Sequence, residues 1–333
     1  MKLLVTGGMG FIGSNLVRYM FSARKDVKVT NLDDISIGSS PVNLKDLEKE
    51  RRYNFVKGSI SDFKLVSKLI GKVDAVINCA AQTHVDRSIA NPQPFMESNV
   101  RGTYTILEAA RRKNPAARIV HVSTDEIYGD VPEGSFKEDD RLKPSNPYAA
   151  SKSGADMFAL AYHRTYGLPV TITRCTNNFG PYQHPEKLIP KTIIRAALNL
   201  PIPVYGKGNQ VRDWIYVEDH CDALAQVMEK GEQGEIYNIS AGNEMSNLKV
   251  VESILNLMKK PKSLVEFVDD RPGHDVRYSL DSTKIRTQLG WKPKHNFTEA
   301  LESTVDWYMS NEWWWKPLAT HKILHPTPWK LKW

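Results

Sequence analysis

Tyr148 and Lys152 stand at positions i and i+4, and the run Ser123-Thr124-Asp125-Glu126 lies upstream of them. A tyrosine and a lysine at that spacing share one face of a helix. The ammonium can then sit near the phenol, stabilise phenolate and lower the tyrosine pKa, which suits removal of a proton from a substrate hydroxyl. Ser123 or Thr124, just after the strand-like run Arg118 to Val122, supplies a hydroxyl donor to the reacting oxygen. Two carboxyl groups held in different environments can divide acid and base roles, and Asp125 and Glu126 are such a pair. Y-x-x-x-K is common by chance, and acidic pairs are ordinary at strand ends. Both gain meaning only beside a further motif.

That motif is Thr6-Gly7-Gly8-Met9-Gly10-Phe11-Ile12-Gly13, between an apolar strand pattern and a helical one. Gly7, Gly10 and Gly13 let the backbone turn tightly and approach a pyrophosphate, which then sits on the positive end of the helix. The spacing is G-x-x-G-x-x-G. Asp33 closes the next strand pattern, where an acidic residue takes the ribose hydroxyls of an adenosine. A carboxylate there repels a 2′-phosphate, and no Arg or Lys follows immediately, so NAD is expected over NADP. Asp34 reads equally well as a solvated loop acid.

The elements that must position these residues alternate. Strand patterns at Lys2 to Thr6, Val27 to Leu32, Arg52 to Lys57, Ala75 to Asn78, Arg118 to Val122 and Val170 to Thr173 are interleaved with helical ones. The helical patterns run over Asn15 to Phe21, Phe63 to Ile70, Thr103 to Arg112 and Tyr148 to Tyr166. This implies an α/β fold: a doubly wound parallel sheet covered on both faces. From Asn177 to Pro203 the chain turns rich in Asn, Pro and Gly around a helix near Lys191 to Leu198. A smaller C-terminal lobe is expected there, with residues 1–176 mainly binding cofactor and 177–333 mainly binding substrate, and some exchange of chain between lobes.

Together, the glycine turn, the hydroxyl-bearing strand end and the Tyr148/Lys152 pair resemble the extended short-chain dehydrogenase/reductase family. The resemblance covers nearly the whole chain and implies a Rossmann-like sheet with tightly held NAD. Epimerases and decarboxylases of that family carry a small hydroxyl residue where Asp125 stands, and the adjacent Asp and Glu resemble its sugar-nucleotide 4,6-dehydratases. The resemblance implies Thr124, Asp125, Glu126, Tyr148 and Lys152 as the catalytic set. Thr124 holds the C4 oxygen, Tyr148 takes its proton, Glu126 takes the C5 proton and Asp125 protonates the leaving C6 hydroxyl. The implied cofactor residues are Gly7, Gly10, Phe11, Ile12, Gly13 and Asp33, then Ser59, Ile60, Ala80, Ala81, Thr83, Ser98 and Asn178, with Tyr148 and Lys152.

The stretches 80–88, 174–182, 185–190, 203–206, 212–214 and 270–275 resemble the same group. They imply substrate contacts from Thr83, Thr124, Asn177, Lys187 and Leu188, then Pro203, Tyr205, Arg212, Asn247, Arg271 and His274. Guanidinium forks such as Arg212 and Arg271 match phosphate oxygens, Tyr205 can lie along a base, and Lys187 adds a point charge. The expected substrate is dTDP-glucose or a related sugar nucleotide. A UDP- or CDP-sugar dehydratase, a UDP-sugar 4-epimerase and a non-catalytic binder remain as alternatives. Ser59 stands where the family has Asp, and Gln82 and Thr83 where it has Glu and Ser.

Composition sets the class. The 333 residues are 41% hydrophobic and 25% charged, an ordinary globular balance. No apolar run is long enough to span a bilayer, and the short N-terminal one leads directly into the glycine turn rather than a cleavage site. Cys79, Cys175 and Cys221 are scattered without metal-type spacing, so a cytoplasmic protein without a bound metal is expected. The net charge of +7 is not accompanied by basic-aromatic interleaving, which argues against nucleic acid and fits an anionic substrate. A homodimer is implied by the resemblance alone. Trp313-Trp314-Trp315, Trp329 and Trp333 are expected to pack against the body or a second subunit rather than to anchor in a membrane.

Overall fold

The run Leu3-Leu4-Val5-Thr6 is buried at every position, so it has no face to give to water and needs cover on both sides. In the computed structural model, which describes residues 1–333, the cover is helices packed on both faces of a seven-stranded sheet. Its strands are β1 Lys2–Thr6, β2 Lys28–Asp33, β3 Tyr53–Lys57, β4 Ala75–Asn78, β5 Arg118–Thr124 and β6 Val170–Cys175, with β10 Ile236–Ile239. Between and after them run β7 Asn177–Phe179, β8 Ile202–Tyr205, β9 Val211–Tyr216, β11 Glu244–Ser246 and β12 Val265–Val268. The large sheet has the order β3-β2-β1-β4-β5-β6-β10, and every pair in it is parallel. The chain leaves β1 toward β2 on one side and returns to β4 on the other, so a crevice opens beyond the carboxyl ends of β1 and β4. Ligands of open α/β sheets bind at such a switch point.

The helices form close to where apolar spacing places them: Phe11–Ala23, Phe63–Ile70, Gly102–Lys113, Pro147–Tyr166 and Leu188–Ala197. The fourth has the clearest local cause. Asn146 caps it by accepting from the Ala149 N–H at 2.9 Å, Pro147 fills the first turn, and Gly167 ends it in the left-handed region at φ +67°. Tyr148 and Lys152 thus lie in its first two turns, on the side facing β5.

The chain does not leave the sheet for good after β6. Helix Val217–Lys230 lies against helix Phe11–Ala23 and β10 adds the seventh strand, with helix Thr283–Leu289 packed on it. The remaining segments build a second core from β11-β9-β7, the β12-β8 ribbon and the helices Leu188–Ala197, Asn247–Leu257 and Phe297–Ser310. Ile193, Trp214, Ile254, Leu301, Trp314 and Trp315 are among its buried side chains. Of the tryptophan triplet only Trp313 is exposed; Trp314 Nε1 donates to Asn43 at 2.7 Å and Trp315 Nε1 to the Tyr308 carbonyl at 2.8 Å. The tryptophan-rich end therefore packs on the body of the chain.

A buried polar network ties β6 to the helix and strand beside it. Arg174 donates to Asp156 at 3.0 Å and to the Tyr128 hydroxyl at 2.6 Å, and Tyr128 donates to Asn238 of β10 at 2.9 Å. Arg174 and Asp156 are both essentially inaccessible to water. Removing one partner of a buried pair leaves an uncompensated charge, so Asp156→Ala is expected to lower unfolding free energy by about 3–5 kcal/mol. Urea denaturation against wild type measures it, and a midpoint unchanged at equal slope would refute it.

Candidate active site

The glycine turn fits the crevice because two of its glycines admit no side chain. A Cβ on Gly7, which has φ +71°, would lie 2.7 Å from the Ala80 backbone, and one on Gly13 would lie 2.2 Å from the Gly7 carbonyl oxygen. The turn delivers the start of helix Phe11–Ala23, which has no side-chain cap, so its first N–H groups are free to meet an anion. At the end of β2, Asp33 accepts from the Met9 N–H at 2.9 Å and the Ile35 N–H at 2.7 Å. Burial nonetheless pushes its pKa upward.

A cleft of about 1380 Å³ runs from this turn across the sheet edge. It is lined at one end by Gly7, Gly10, Phe11, Ile12, Gly13 and Asp33, and along its length by Ile60, Ala80, Ala81, Thr83 and Ser98. Its other end holds Thr124, Asp125, Glu126, Tyr148 and Lys152, with Asn177, Asn178 and Lys187. Ser59 is the exception. Its neighbours Gly58 and Ile60 line the cleft, whereas the Ser59 hydroxyl accepts from the Ser61 N–H at 3.1 Å. Several polar atoms facing this space are buried without a partner, among them Ser123 Oγ, Asn177 Oδ1 and Asn178 Oδ1. Such atoms are left to pair with ordered water or with a bound molecule. The cradle without room for Cβ atoms, the uncapped helix start and Asp33 together fit a dinucleotide with free ribose hydroxyls.

A second cavity, of about 860 Å³, joins the first through Glu126, Asn177, Glu186 and Lys187. Leu188, Pro203, Tyr205, Arg212, Asn247 and Arg271 line it, with His274. Arg212 is buried, and its guanidinium donates only to the carbonyls of Val211, Asp275 and Val276. No carboxylate neutralises it, so its charge remains for an anion. Arg271 is already paired: Nη1 lies 2.9 Å from Asp86, which also accepts from the Tyr205 hydroxyl at 2.8 Å. Lys187 Nζ donates to the Thr83 carbonyl at 2.9 Å. His274 hydrogen-bonds Asp270 at 2.6 Å, yet burial, with Arg271 next, holds its pKa down to about 4.

Where the cavities meet, β5 ends and a tight 3-10 turn over Asp125–Tyr128 begins, with Thr124 accepting from the Glu126 N–H at 3.4 Å. Thr124 also donates to Asp125 Oδ1 at 3.1 Å, while Asp125 Oδ2 and Glu126 Oε2 are buried without partners. Burial, followed by the negative charge of Glu126, pushes the Asp125 pKa up to about 8. One carboxyl of the pair is thus neutral at neutral pH and able to donate a proton. Tyr148 corrects an expectation. Lys152 Nζ donates to the Val122 carbonyl at 2.7 Å, and burial, with Glu126 next, holds the phenol well above its ordinary pKa of 10.

The second cavity also holds Lys191 and Tyr278, which sequence reasoning did not reach, and Asp86, Glu186 and Trp214, which lay inside the resembling stretches without an assigned role. Glu186 accepts from Arg87 Nε and Nη2, at 3.0 and 3.1 Å, and Arg87 Nη1 donates to Gln82 at 2.8 Å. A neutral amide at position 82 leaves Glu186 as the only carboxylate on that guanidinium. Trp214 Nε1 is buried without a partner beside the cavity. The Asp125 state is measurable. A protonated-carboxyl infrared band is expected at pH 6.5, lost as pH rises through about 8 and missing from Asp125→Asn. A band already lost at pH 6 would contradict the burial argument.

Comparison with known proteins agrees with this geometry. Residues 4–304 match the family model for GDP-mannose 4,6 dehydratase. A dTDP-glucose 4,6-dehydratase of Streptomyces niveus is 47% identical over 324 residues, 96% of each chain. The low-salt glycan biosynthesis protein Agl12 of Haloferax volcanii is 49% identical over 312 residues, covering 94% of this chain and all of that one. The crystal structure of DesIV, a dTDP-glucose 4,6-dehydratase of Streptomyces venezuelae solved with NAD bound, superimposes with TM-score 0.94 at 47% identity. It covers 96% of this chain and 100% of that one. With a glycine turn, an acidic strand end and a Tyr–Lys helix arranged in that same fold, the chain belongs to the dTDP-glucose 4,6-dehydratase group of the extended short-chain dehydrogenase/reductase family.

Proposed function

We propose that the chain converts dTDP-glucose to dTDP-4-keto-6-deoxyglucose, with NAD in the first cleft and the sugar nucleotide in the second. The observation that carries this reading is the buried Asp125 carboxyl, its Oδ2 without a partner, beside Glu126 at the junction of the two cavities. NAD, which Gly7, Gly10, Gly13 and Asp33 would hold, would supply reversible hydride acceptance between C4 and C6, with no net oxidant consumed. Everything else falls to side chains. Thr124 orients the C4 oxygen and Tyr148 accepts its proton, Lys152 lying in the same buried cluster. Oxidation at C4 acidifies the C5 proton. Glu126 removes it, and Asp125 protonates the departing C6 hydroxyl, which leaves as water. A proton returned to C5 completes the product.

Arg212, Arg271 and Lys187 hold the diphosphate; Asn177, Leu188, Pro203, Tyr205, Asn247 and His274 line the rest of the substrate path. In this reading residues 1–176 serve mainly NAD and 177–333 mainly the sugar nucleotide.

The reading includes a cytoplasmic homodimer. No helix is long and apolar enough to cross a membrane, and all three thiols are free, as a reducing compartment keeps them. The helices Gly102–Lys113 and Pro147–Tyr166 pack side by side and leave Tyr104, Met157, Phe158 and Tyr166 exposed. Tyr104 and Phe158 touch edge to face, with ring centroids 6.0 Å apart. A contiguous apolar patch of this kind marks an association surface.

The test is incubation with dTDP-glucose in deuterated water without added NAD, followed by NMR. A 4-keto-6-deoxy product carrying deuterium at C5 is expected. No reaction even with NAD supplied would overturn the reading. Tyr148→Phe and Glu126→Gln are each expected to slow turnover by about 10²–10⁴-fold, and wild-type rates would exclude these roles. Sedimentation should give twice the 37.8 kDa chain mass, falling to one chain in Phe158→Glu. A monomeric wild type would refute the dimer.

A further inference from the structure

The C-terminal end of the chain lies beyond the matched family range, which stops at residue 304, yet it packs against residues that line the second cavity. Pro328–Lys330 forms a 3-10 turn packed on the helix Val85–Ala90, which carries Asp86. Trp329, 9% exposed, meets the Tyr205 ring edge-on at 4.8 Å. The same ring also meets His274, with centroids 6.2 Å apart. Lys330 pairs with Asp269 at 2.6 Å, two residues before Arg271. The end of the chain is itself fastened: Trp333 Nε1 donates to the Pro328 carbonyl at 2.9 Å, and the Trp333 carbonyl accepts from Asn91 at 3.4 Å. Upstream, the His325 carbonyl accepts from Lys191 of the same cavity at 3.3 Å.

These contacts converge on one cluster. Asp86, Tyr205 and Arg271 come from three separate segments; the Asp86 carboxylate joins the three side chains, and β8 pairs with β12 at Tyr205 and Val268, which leaves the Asp86 helix tied to the other two through that carboxylate. The tail touches each segment: the helix under Asp86, the Tyr205 ring, and the loop leading to Arg271. We propose that residues 328–333 form a strap that holds this cluster in place, with Trp329 as a positioning residue that sets affinity for the nucleotide end of the substrate. The proposal rests on the reading of the second cavity as the sugar-nucleotide site. Trp329 supports the wall of the pocket and is remote from the reacting carbons, so its loss affects ground and transition states alike. Such a change raises KM and leaves kcat in place.

The experiment compares the full-length, NAD-loaded wild type with Trp329→Ala, Trp329→Leu and Trp329→Phe. It measures kcat and KM for dTDP-glucose, Kd for dTDP by calorimetry, and melting temperature. Trp329→Ala is expected to raise KM and Kd by about tenfold with kcat within about twofold, and Trp329→Phe to restore both. Trp329→Leu keeps an apolar side chain in the gap, should raise KM by a smaller factor, and carries the test if the alanine variant does not fold. KM and Kd unchanged in the alanine and leucine variants would overturn the strap, as would a fall in kcat at constant KM. A wild type that does not convert dTDP-glucose would instead overturn the reading of the site, which the same assay reports first.

Discussion

Taking the Asp125 carboxyl out of water beside a second carboxyl is the constraint on which the rest of this structure depends. A lone carboxylate buried without a counter-ion is costly, and the cheaper state is the neutral acid. Arg212 exerts the largest opposing charge on Asp125, and it does not outweigh burial and Glu126. That balance needs a rigid frame, since a small opening to solvent would return Asp125 to an ordinary carboxylate. β5, buried between β4 and β6, supplies the frame, and the tight turn over Asp125–Tyr128 sets the two carboxyls at its end. The same charge on Glu126 holds the Tyr148 phenol up, so acid, base and phenol form one electrostatic unit.

The two cavities divide their charge differently. The first meets its anion with backbone N–H groups at an uncapped helix start, a device that leaves no room for side chains at Gly7 and Gly13. The second uses side chains. Arg212 is solvated by carbonyls and keeps its charge, whereas Arg271 is tied to Asp86 and also braces Tyr205. One guanidinium is free to recognise phosphate and the other doubles as a structural member. Glu126, Asn177, Glu186 and Lys187 belong to both walls, so a substrate occupying one cavity brings its sugar against the carboxyl pair.

Much of this was legible in the sequence wherever spacing alone decides geometry. The glycine turn, Asp33 at the end of β2, and Tyr148 and Lys152 on one helix face follow from local periods of strand and helix. The nucleotide pocket was reached through resemblance, and nearly all of its residues converge on one cavity. What escaped the sequence depends on partners far apart along the chain. Asp86 gains its role from Tyr205 and Arg271, and Glu186 from Arg87; neither pairing has a local signature. The return of the chain to the sheet as β10 is likewise invisible in so short a strand. The Tyr148 pKa went the other way from expectation because burial, followed by the negative charge of Glu126, outweighs the i+4 spacing to Lys152. Ser59 shows the resolution of motif reasoning, since the residues on either side line the cleft and it does not.

The account stands on a neutral Asp125 acting as the acid for water loss. The most direct measurement is the single-turnover rate of water loss from dTDP-glucose across pH, in wild type and in Asp125→Asn. A proton donor must be protonated, so the wild-type rate should hold below about pH 8 and fall as pH rises through it, by about tenfold per unit. Asp125→Asn should be slow and flat over the same range. A wild-type rate that stays level well above pH 8, or an Asn variant that keeps the alkaline fall, would contradict it.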